Sequence, residues 1–382
     1  MKKTVAHTSL HYFELSENWI HTQIKHLKGW ERLVLTNETK NLQTVDWHPK
    51  IYERRRVLPV GFRELDSIAM KLIGYYPSFY HEVKKAKAKL IHAHFGPMGY
   101  LSMGIARKLQ IPLVTTFYGY DASELPRQSP SWQENFKDLF RTGDCFLVEG
   151  PAMGEKLEAL GCPSEKITIQ RLGIELDAYP ERASNARGEE LKILMVGRFV
   201  EKKGFIYGLR AFQKFLETGG KGALTIVGDS NDSEGSQRIK RQMAEFVEQN
   251  QLQGKVNFKG LIPLQELKNE YPGHDVFLAP SIVAENGDDE GGLPVTIIEA
   301  AATGMALVGS KHCDIPEVIQ HNKTGLLADE KKVEQLADHL NRLDRNSELR
   351  AEFGKEAARL IRKDYDAVKQ GKKLAEIYDD LC

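Results

Sequence analysis

Three short stretches carry residues whose types and spacing suit chemistry. The first is Asp288-Asp-Glu-Gly-Gly-Leu-Pro-Val-Thr-Ile-Ile-Glu-Ala300. Pro294 suits the first turn of a helix, where its missing N–H would be unpaired, and Gly304 suits the helix end. Gly291 and Gly292 let the backbone come close to a ligand. The free N–H groups and dipole at such a helix start attract an anion. Glu299, further along the helix, can accept two hydroxyls, as a ribose would offer. The same residues also read as an ordinary capped helix behind a solvated acidic loop. The second stretch is Gly197-Arg198-Phe-Val-Glu-Lys-Lys203-Gly204, directly after an apolar run. Two cations in a strand-to-helix loop can clamp a diphosphate; taken alone, the loop reads equally as an exposed basic turn. The third is His92-Ala-His94-Phe-Gly96. Its two histidines could begin a metal site, but a convincing third ligand is missing and no metal is expected.

The surrounding sequence alternates short apolar runs with amphipathic segments. Strands are expected at Val5–Thr8, Arg32–Thr36, Lys89–His94, Ile111–Thr116, Cys145–Val148 and Lys166–Gln170, and helices at Trp19–Leu27, Tyr100–Leu109 and Gly154–Leu160. The run Ile174–Glu190 has Pro180, Ser184, Asn185 and Gly188, many charges and no apolar period, and reads as an interdomain linker. The alternation then restarts. Strands are expected at Leu191–Val196, Ala223–Val227, Val256–Gly260, Val276–Ala279 and Ala306–Gly309, and helices at Phe205–Glu217, Arg238–Gln249 and Pro294–Thr303. Long helical stretches at Val333–Leu343 and Leu349–Leu381 follow. This alternation means parallel sheets covered on both faces. The expected class is therefore α/β, with two doubly wound domains. Ligands in such sheets sit at the carboxyl ends of strands, and the cleft between two such domains is the default site.

Composition narrows the classes further. The chain has 382 residues, 41% hydrophobic and 28% charged, which suits two globular domains rather than a disordered chain or a rod. Lys plus Arg and Asp plus Glu both number 53, so the net charge is zero. That neutrality is a cancellation. Residues 1–110 carry 18 Lys/Arg against 9 Asp/Glu, and residues 111–382 carry 35 against 44. Cys145, Cys162, Cys313 and Cys382 form no C-x-x-C pair and no disulfide framework, so reduced thiols in a cytosol are expected. No apolar run follows the basic N-terminus, so no signal peptide is expected. The uncharged run Leu90–Ala106 holds two His, three Gly and a Pro, unlike a transmembrane helix.

In combination the motifs resemble those of the retaining glycosyltransferases of family 4, over nearly the whole chain. They include Ser16-Glu-Asn-Trp-Ile20, the His92–Gly96 turn, Thr115-Thr-Phe-Tyr-Gly-Tyr-Asp121, Arg171-Leu-Gly-Ile174, Val196-Gly-Arg with Lys203-Gly204, and Ile226-Val-Gly-Asp229. Val256-Asn-Phe-Lys-Gly260, Asp275-Val-Phe-Leu-Ala-Pro-Ser281, Ile315-Pro-Glu-Val318 and Thr324-Gly-Leu-Leu327 complete the set. The Glu-Gly-Gly-x-Pro-Val-Thr and His-Cys-Asp-Ile-Pro-Glu wording is similar to the branch that builds exopolysaccharides of the colanic-acid type.

The resemblance implies a GT-B fold: two Rossmann-like domains facing across a cleft. Residues 1–175 would bind the acceptor, 176–190 would link, 191–365 would bind the nucleotide sugar, and the helix 366–382 would pack back on the first domain. It implies retaining transfer from a nucleotide-diphosphate sugar to an acceptor hydroxyl, without metal or cofactor. Arg198 and Lys203 would hold the diphosphate, and Glu299 the ribose. Glu290 would contact the donor sugar beside Gly292 and Leu293. Gly197, Gly228, Asp229, Gly291, Pro294 and Val295 would complete the donor site, with Gly260, Leu261 and Ile262 along the base. Ser16, Trp19, His94, Phe95, Gly96, Tyr118, Gly119 and Asp121 would form the acceptor side. His94 and Tyr118 would join Arg198, Lys203 and Glu290 as catalytic groups. The leaving phosphate would take the acceptor proton by front-face attack. A lipid-linked acceptor implies a cytoplasmic protein touching the inner membrane face. The basic clusters Arg54-Arg-Arg56 and Lys84–Lys89 are the expected contact, the latter with the spacing of an exposed helix face; a merely solvated face is the alternative. No nucleic-acid partner is expected.

Two departures stand out. The family usually has two Glu with seven residues between them, whereas Glu290 and Glu299 have eight, so Gly291 is an alternative match to the first. The family commonly has His where this chain has Tyr118, and a Tyr cannot act as a neutral-pH base; His94 is expected to take part of that role. A GT-B-like phosphorylase or epimerase, and a non-catalytic sugar-nucleotide-binding protein, remain the competing readings.

Overall fold

The computed structural model describes residues 2–14, 17–182 and 190–382. The chain divides into two units, one of Met1–Ile174 with Ala367–Cys382 and one of Glu175–Asp366. The first unit holds strands β1 (Lys3–Tyr12), β2 (Trp30–Thr39), β3 (Lys50–Glu53), β4 (Leu90–His94), β5 (Leu113–Thr116), β6 (Cys145–Val148) and β7 (Ile167–Ile169). They form one sheet in the order β3-β2-β1-β4-β5-β6-β7, every pair parallel. The second unit holds β8 (Leu191–Val196), β9 (Gly222–Val227), β10 (Val256–Gly260), β11 (Val276–Ala279), β12 (Ala306–Ser310) and β13 (Gly325–Ala328), parallel in the order β10-β9-β8-β11-β12-β13.

Burial explains the strand composition. β4, β5, β6 and β11 are buried at every residue, as strands covered on both faces must be, so they read as continuous apolar runs. In the first unit one face sets Phe146 of β6 against Phe117 and Phe140, with Phe136 beside them, and the other packs on Leu374 and Tyr378 of the helix Ala367–Leu381. Both sheets reverse strand order once, between β1 and β4 and between β8 and β11. Such reversals open a crevice at the strand carboxyl ends.

Several elements differ from the sequence expectation. Strand β3 and the helices Val60–Ile73, Pro130–Thr142 and Leu264–Glu270 were not anticipated, nor was β13 as a strand. β3, β13 and Leu264–Glu270 are too short for a clear apolar period, whereas Val60–Ile73 and Pro130–Thr142 do carry apolar residues at helical spacing. The stretch Leu349–Leu381 is two helices, Ser347–Asp364 and Ala367–Leu381, because the helical conformation is interrupted at Tyr365 and Asp366. Lys84–Lys89 is not one helix face: the helix Pro77–Lys85 ends there, and Lys87 turns left-handed before β4. The expected linker 176–190 is packed in its first part. Leu176–Ala178 forms a turn of 3₁₀ helix, Tyr179 is buried, and Arg182 pairs with Asp275 at 2.7 Å, all within the second unit. Ser184, Asn185 and Gly188 lie outside the described residues.

Candidate active site

At the strand-order reversal of the second sheet, Lys203, Ser281, Glu290, Pro294 and Thr296 line a cavity over Met195, Phe277 and Ile297. Two glycines bring the loops together. Gly204 has φ +64°, and a Cβ there would fall 1.8 Å from the Pro280 carbonyl oxygen. Gly228 has φ +139°, and its Cβ would fall 1.8 Å from the Gly197 oxygen. Only glycine permits both close approaches, and the first sets Lys203 beside the end of β11.

The Lys203 ammonium sits 2.9 Å from Glu290 Oε2, and the Ser281 hydroxyl donates to Oε1 at 2.7 Å. The Glu290 N–H donates to His312 Nε2 at 3.1 Å, and His312 Nδ1 faces Glu330 at 2.7 Å. Lys202 adds a second buried cation, bonded to Asp288 at 3.0 Å and to the Asp289 carbonyl at 2.7 Å. Burial opposes the charge on Glu290. The charges of Lys203 and Lys202 and the bonds from Lys203 and Ser281 outweigh it, and hold the carboxyl down at about 2. Burial lowers the Lys203 ammonium, with Glu290 pulling it back up. Arg198 follows β8 and is exposed.

The other expected donor residues fall into place unequally. The Gly228 N–H donates to the Gly260 carbonyl at 3.0 Å, tying the ends of β9 and β10, with Leu261 exposed just beyond. Ile262 follows, half-buried. Asp229 is spent on Lys240, at 2.7 Å, and on its own turn at Ser230. The Gly291 N–H is taken by Asp289 Oδ1 at 2.8 Å, so that amide is not free for an anion. The helix starts at Val295, one residue later than expected, with Pro294 outside it and Gly292 and Leu293 just before. The Ile297 N–H in its first turn already donates to the Pro294 carbonyl at 3.0 Å, and the N–H groups before it have no acceptor within the helix. Glu299 is buried, and both its oxygens already accept, from Tyr179 at 2.5 Å and Tyr271 at 2.6 Å. A carboxylate has about four acceptor positions, so the two tyrosines orient Glu299 and still leave it able to accept. Burial raises its pKa, against the tyrosine bonds.

The reversal of the first sheet holds a neutral cluster. His7 on β1 pairs in register with His92 on β4, and His94 lies on the same face of β4. The three rings are fully buried, with one nitrogen from each lying within 4.8 Å of the others. The third histidine that the sequence lacked nearby thus comes from the first strand. Hydrogen bonds, however, engage five of the six ring nitrogens. His92 contacts Tyr378 at 2.5 Å and Thr116 at 2.6 Å, and His94 contacts Tyr118 at 2.7 Å and His7 at 3.1 Å. Only Nε2 of His7 lacks a partner in this group. Burial lowers all three pKa values, that of His94 to about 3. A ring held that low is a weak base at neutral pH. His94 is a neutral ring that fixes the Tyr118 hydroxyl.

Asp121 is likewise buried rather than open to a ligand. Its oxygens accept the N–H groups of Gly96, Tyr118 and Gly119 at 2.8, 3.0 and 3.1 Å. It clamps the β4 and β5 loops together. Burial raises its pKa to about 6, against those bonds. Phe95 takes φ +71°, a strained value for an aromatic residue, and its ring meets Tyr118 at 4.8 Å. Trp19 meets Tyr118 at 5.9 Å, and its indole N–H is buried without an acceptor. Ser16 lies outside the described residues. Sequence reasoning missed Ser281, Lys202, His312, Tyr179, Tyr271 and His7. The position of Ser281 just past the β11 strand was a usable signal. Nothing local marks Tyr179 or His7.

Two family models match consecutive parts of the chain: Glycosyltransferase Family 4 over residues 17–178 and Glycosyl transferases group 1 over residues 180–360. The chain belongs to glycosyltransferase family 4. Within the family, it is 33% identical over 260 residues to a putative colanic acid biosynthesis glycosyltransferase of Escherichia coli, covering 66% of this chain and 61% of that one. It is 34% identical over 265 residues to an amylovoran biosynthesis glycosyltransferase of Erwinia amylovora, covering 68% and 62%. The chain thus spans about three-fifths of the length of these curated relatives. Among solved structures, sucrose-phosphate synthase of Thermosynechococcus elongatus superposes with a TM-score of 0.78 at 19% identity, covering 99% of both chains. Anabaena HepE, solved with UDP and glucose, gives 0.77 at 16% identity, covering 99% of this chain and 100% of that one. At such identities the likeness is one of fold, and the fold of this family 4 chain is GT-B.

Proposed function

We propose that the protein is a retaining glycosyltransferase that moves a sugar from a nucleotide-diphosphate sugar to an acceptor hydroxyl, in polysaccharide or glycolipid biosynthesis. The observation that carries this reading is the cation set of Lys203, Lys202 and exposed Arg198 at the reversal of the second sheet, next to the start of the helix Val295–Ala302. A departing nucleoside diphosphate gains negative charge, and fixed cations and helix N–H groups stabilise it without a metal. Glu290 and Ser281 hold the Lys203 ammonium in place, and Glu290 is the sugar-side carboxylate. Strands lie about 4.8 Å apart, so the end of β10 at Gly260–Ile262 is about 10 Å from β8, a separation that suits a nucleoside base. Glu299, oriented by its two tyrosines, accepts the ribose hydroxyls.

In the first unit, Tyr118, Phe95 and the free indole N–H of Trp19 suit an acceptor sugar, whose face packs on aromatic rings and whose hydroxyls need donors. Because burial leaves His94 only weakly basic, the leaving phosphate takes the acceptor proton. The names of the relatives, in colanic acid and amylovoran biosynthesis, support an exopolysaccharide role. The exposed lysines 84, 85, 87 and 89 support a peripheral contact with an anionic membrane, on its cytoplasmic face. No helix among the described residues is long and apolar enough to cross a membrane.

A thermal-shift and hydrolysis screen of nucleotide sugars tests the donor site, run on wild type, Arg198→Ala and Glu299→Ala. The best donor is expected to stabilise wild type more than either variant. Equal stabilisation of Arg198→Ala would show the assignment to be wrong.

A further inference from the structure

The helix Val60–Ile73 is amphipathic in the reverse sense. Its inward side is polar. Buried Asp66 accepts from Arg54 Nε at 2.6 Å and from the Ser78 N–H and hydroxyl at 2.9 and 2.8 Å. Arg54 also donates to the Arg63 carbonyl and the Ser67 hydroxyl, and its guanidinium lies 4.4 Å from the Tyr76 ring centroid. The outward side is apolar: Val57, Val60, Phe62, Leu65, Ile68 and Leu72 are between 54% and 79% exposed. Phe62, Leu65, Ala69 and Leu72 recur at helical spacing along one stripe. A surface helix of a soluble domain normally turns such a stripe to the core. Here a buried ion pair fastens the helix by its polar side and leaves the stripe in water.

We infer that this helix is a lipid anchor, lying in the surface of an anionic bilayer with the Phe62–Leu72 stripe among the acyl chains. It deepens the membrane contact proposed above from charge, and rests on that reading. Charge complementarity selects the occupant. The segment Arg54–Lys71 carries five cations and two carboxylates, with Arg55, Arg56 and Lys71 exposed. The neighbouring helix Pro77–Lys85, packed against it, adds exposed Lys84 and Lys85. A second copy of the chain would bring the same cations face to face in a two-fold contact, where they repel. A bilayer presents phosphates to those cations and hydrocarbon to the stripe. At 14 residues the helix is about 21 Å long, suited to lying in the interface rather than spanning it.

The test is co-sedimentation of the full chain with vesicles of phosphatidylglycerol and phosphatidylethanolamine, against vesicles of phosphatidylcholine alone. Wild type is expected to bind the anionic vesicles. The triple variant Phe62→Ser, Leu65→Ser, Leu72→Ser is expected to lose binding by about 100-fold or more. Because the replaced side chains are exposed, its melting temperature and its thermal shift with nucleotide sugar stay at wild-type values. Binding that survives the triple change but disappears on charge reversal at Lys84, Lys85, Lys87 and Lys89 would overturn the anchor and leave the electrostatic contact standing. Absence of wild-type binding would overturn both. A wild-type dimer that the triple change converts to monomer, with no vesicle binding, would assign the stripe to a second copy and overturn the anchor.

Discussion

At the carboxyl ends of the first sheet, burial removes charge from the groups it encloses, whereas at the same place in the second sheet it encloses opposite charges side by side. His7, His92 and His94 are neutral rings, and Asp121 holds its proton up to about pH 6. Across the second reversal, Glu290 stays ionised down to about 2 because Lys203 and Lys202 outweigh its burial. The two sheets share one strand order about their reversals, so topology does not set this contrast. The side chains set on that topology do. On the proposed function, a site for a leaving diphosphate needs fixed positive charge, while a site for a neutral hydroxyl needs shape and hydrogen bonds.

The largest test of the contrast is Lys203→Ala. It leaves Glu290 buried without its partner, which costs on the order of 3–5 kcal/mol, and removes a cation from the leaving group, which lowers turnover by roughly 10²–10³-fold. Denaturant melts and steady-state transfer assays measure the two effects. Adding Glu290→Gln should restore much of the stability and none of the rate; restored rate would mean the lysine does not serve the donor.

The pH dependence of stability should split by unit. Asp121 binds its proton more tightly folded than unfolded, about 6 against 3.8. Its stabilisation is full below about pH 3.8 and is lost as pH rises through about 6, a change of about 3 kcal/mol. Glu290 runs the other way, about 2 against 4.5. Its stabilisation is full above about pH 4.5 and is lost as pH falls toward 2, by a similar amount of about 3 kcal/mol. Unfolding measured from pH 3 to 7 should lose the first slope in Asp121→Asn and the second in Glu290→Gln. Parallel curves for wild type and Asp121→Asn between pH 4 and 6 would break the contrast.

Smaller effects sharpen it. Tyr271→Phe removes one hydroxyl from the buried Glu299 carboxylate and should cost about 2 kcal/mol of stability, with weaker donor binding by calorimetry. Tyr118→Phe removes a neutral hydrogen bond to His94 and should cost about 1 kcal/mol. The Lys240–Asp229 pair is partly exposed at both ends. Lys240→Ala should change the melting free energy by less than about 0.5 kcal/mol and leave the donor KM unaltered. A large change there would bring Asp229 back into the donor site.

Much of the frame was legible. β8 and β11 run as expected because their apolar runs end at Gly197 and Pro280, and β10, which alternates, closes on Gly260. Arg198 and Lys203 were placed correctly after β8 for the same reason. The helix Val60–Ile73 was legible in its bounds, Pro59 and Gly74, and in its apolar period; that this period faces water rather than a core was not. The burial of Asp121 and His94 was not legible, because sequence does not show which side chains end up without water.

The sequence by itself determined the α/β alternation, the strand-end position of the cationic loop and the family, since periodicity, turn residues and motif order act over short stretches of chain. Tertiary structure alone decided which groups carry charge. His7 lies 87 residues from the His94 it contacts, and Tyr179 lies 120 from Glu299. Desolvation and Coulomb interactions sum over neighbours in space, and those neighbours come from strands far apart in the chain.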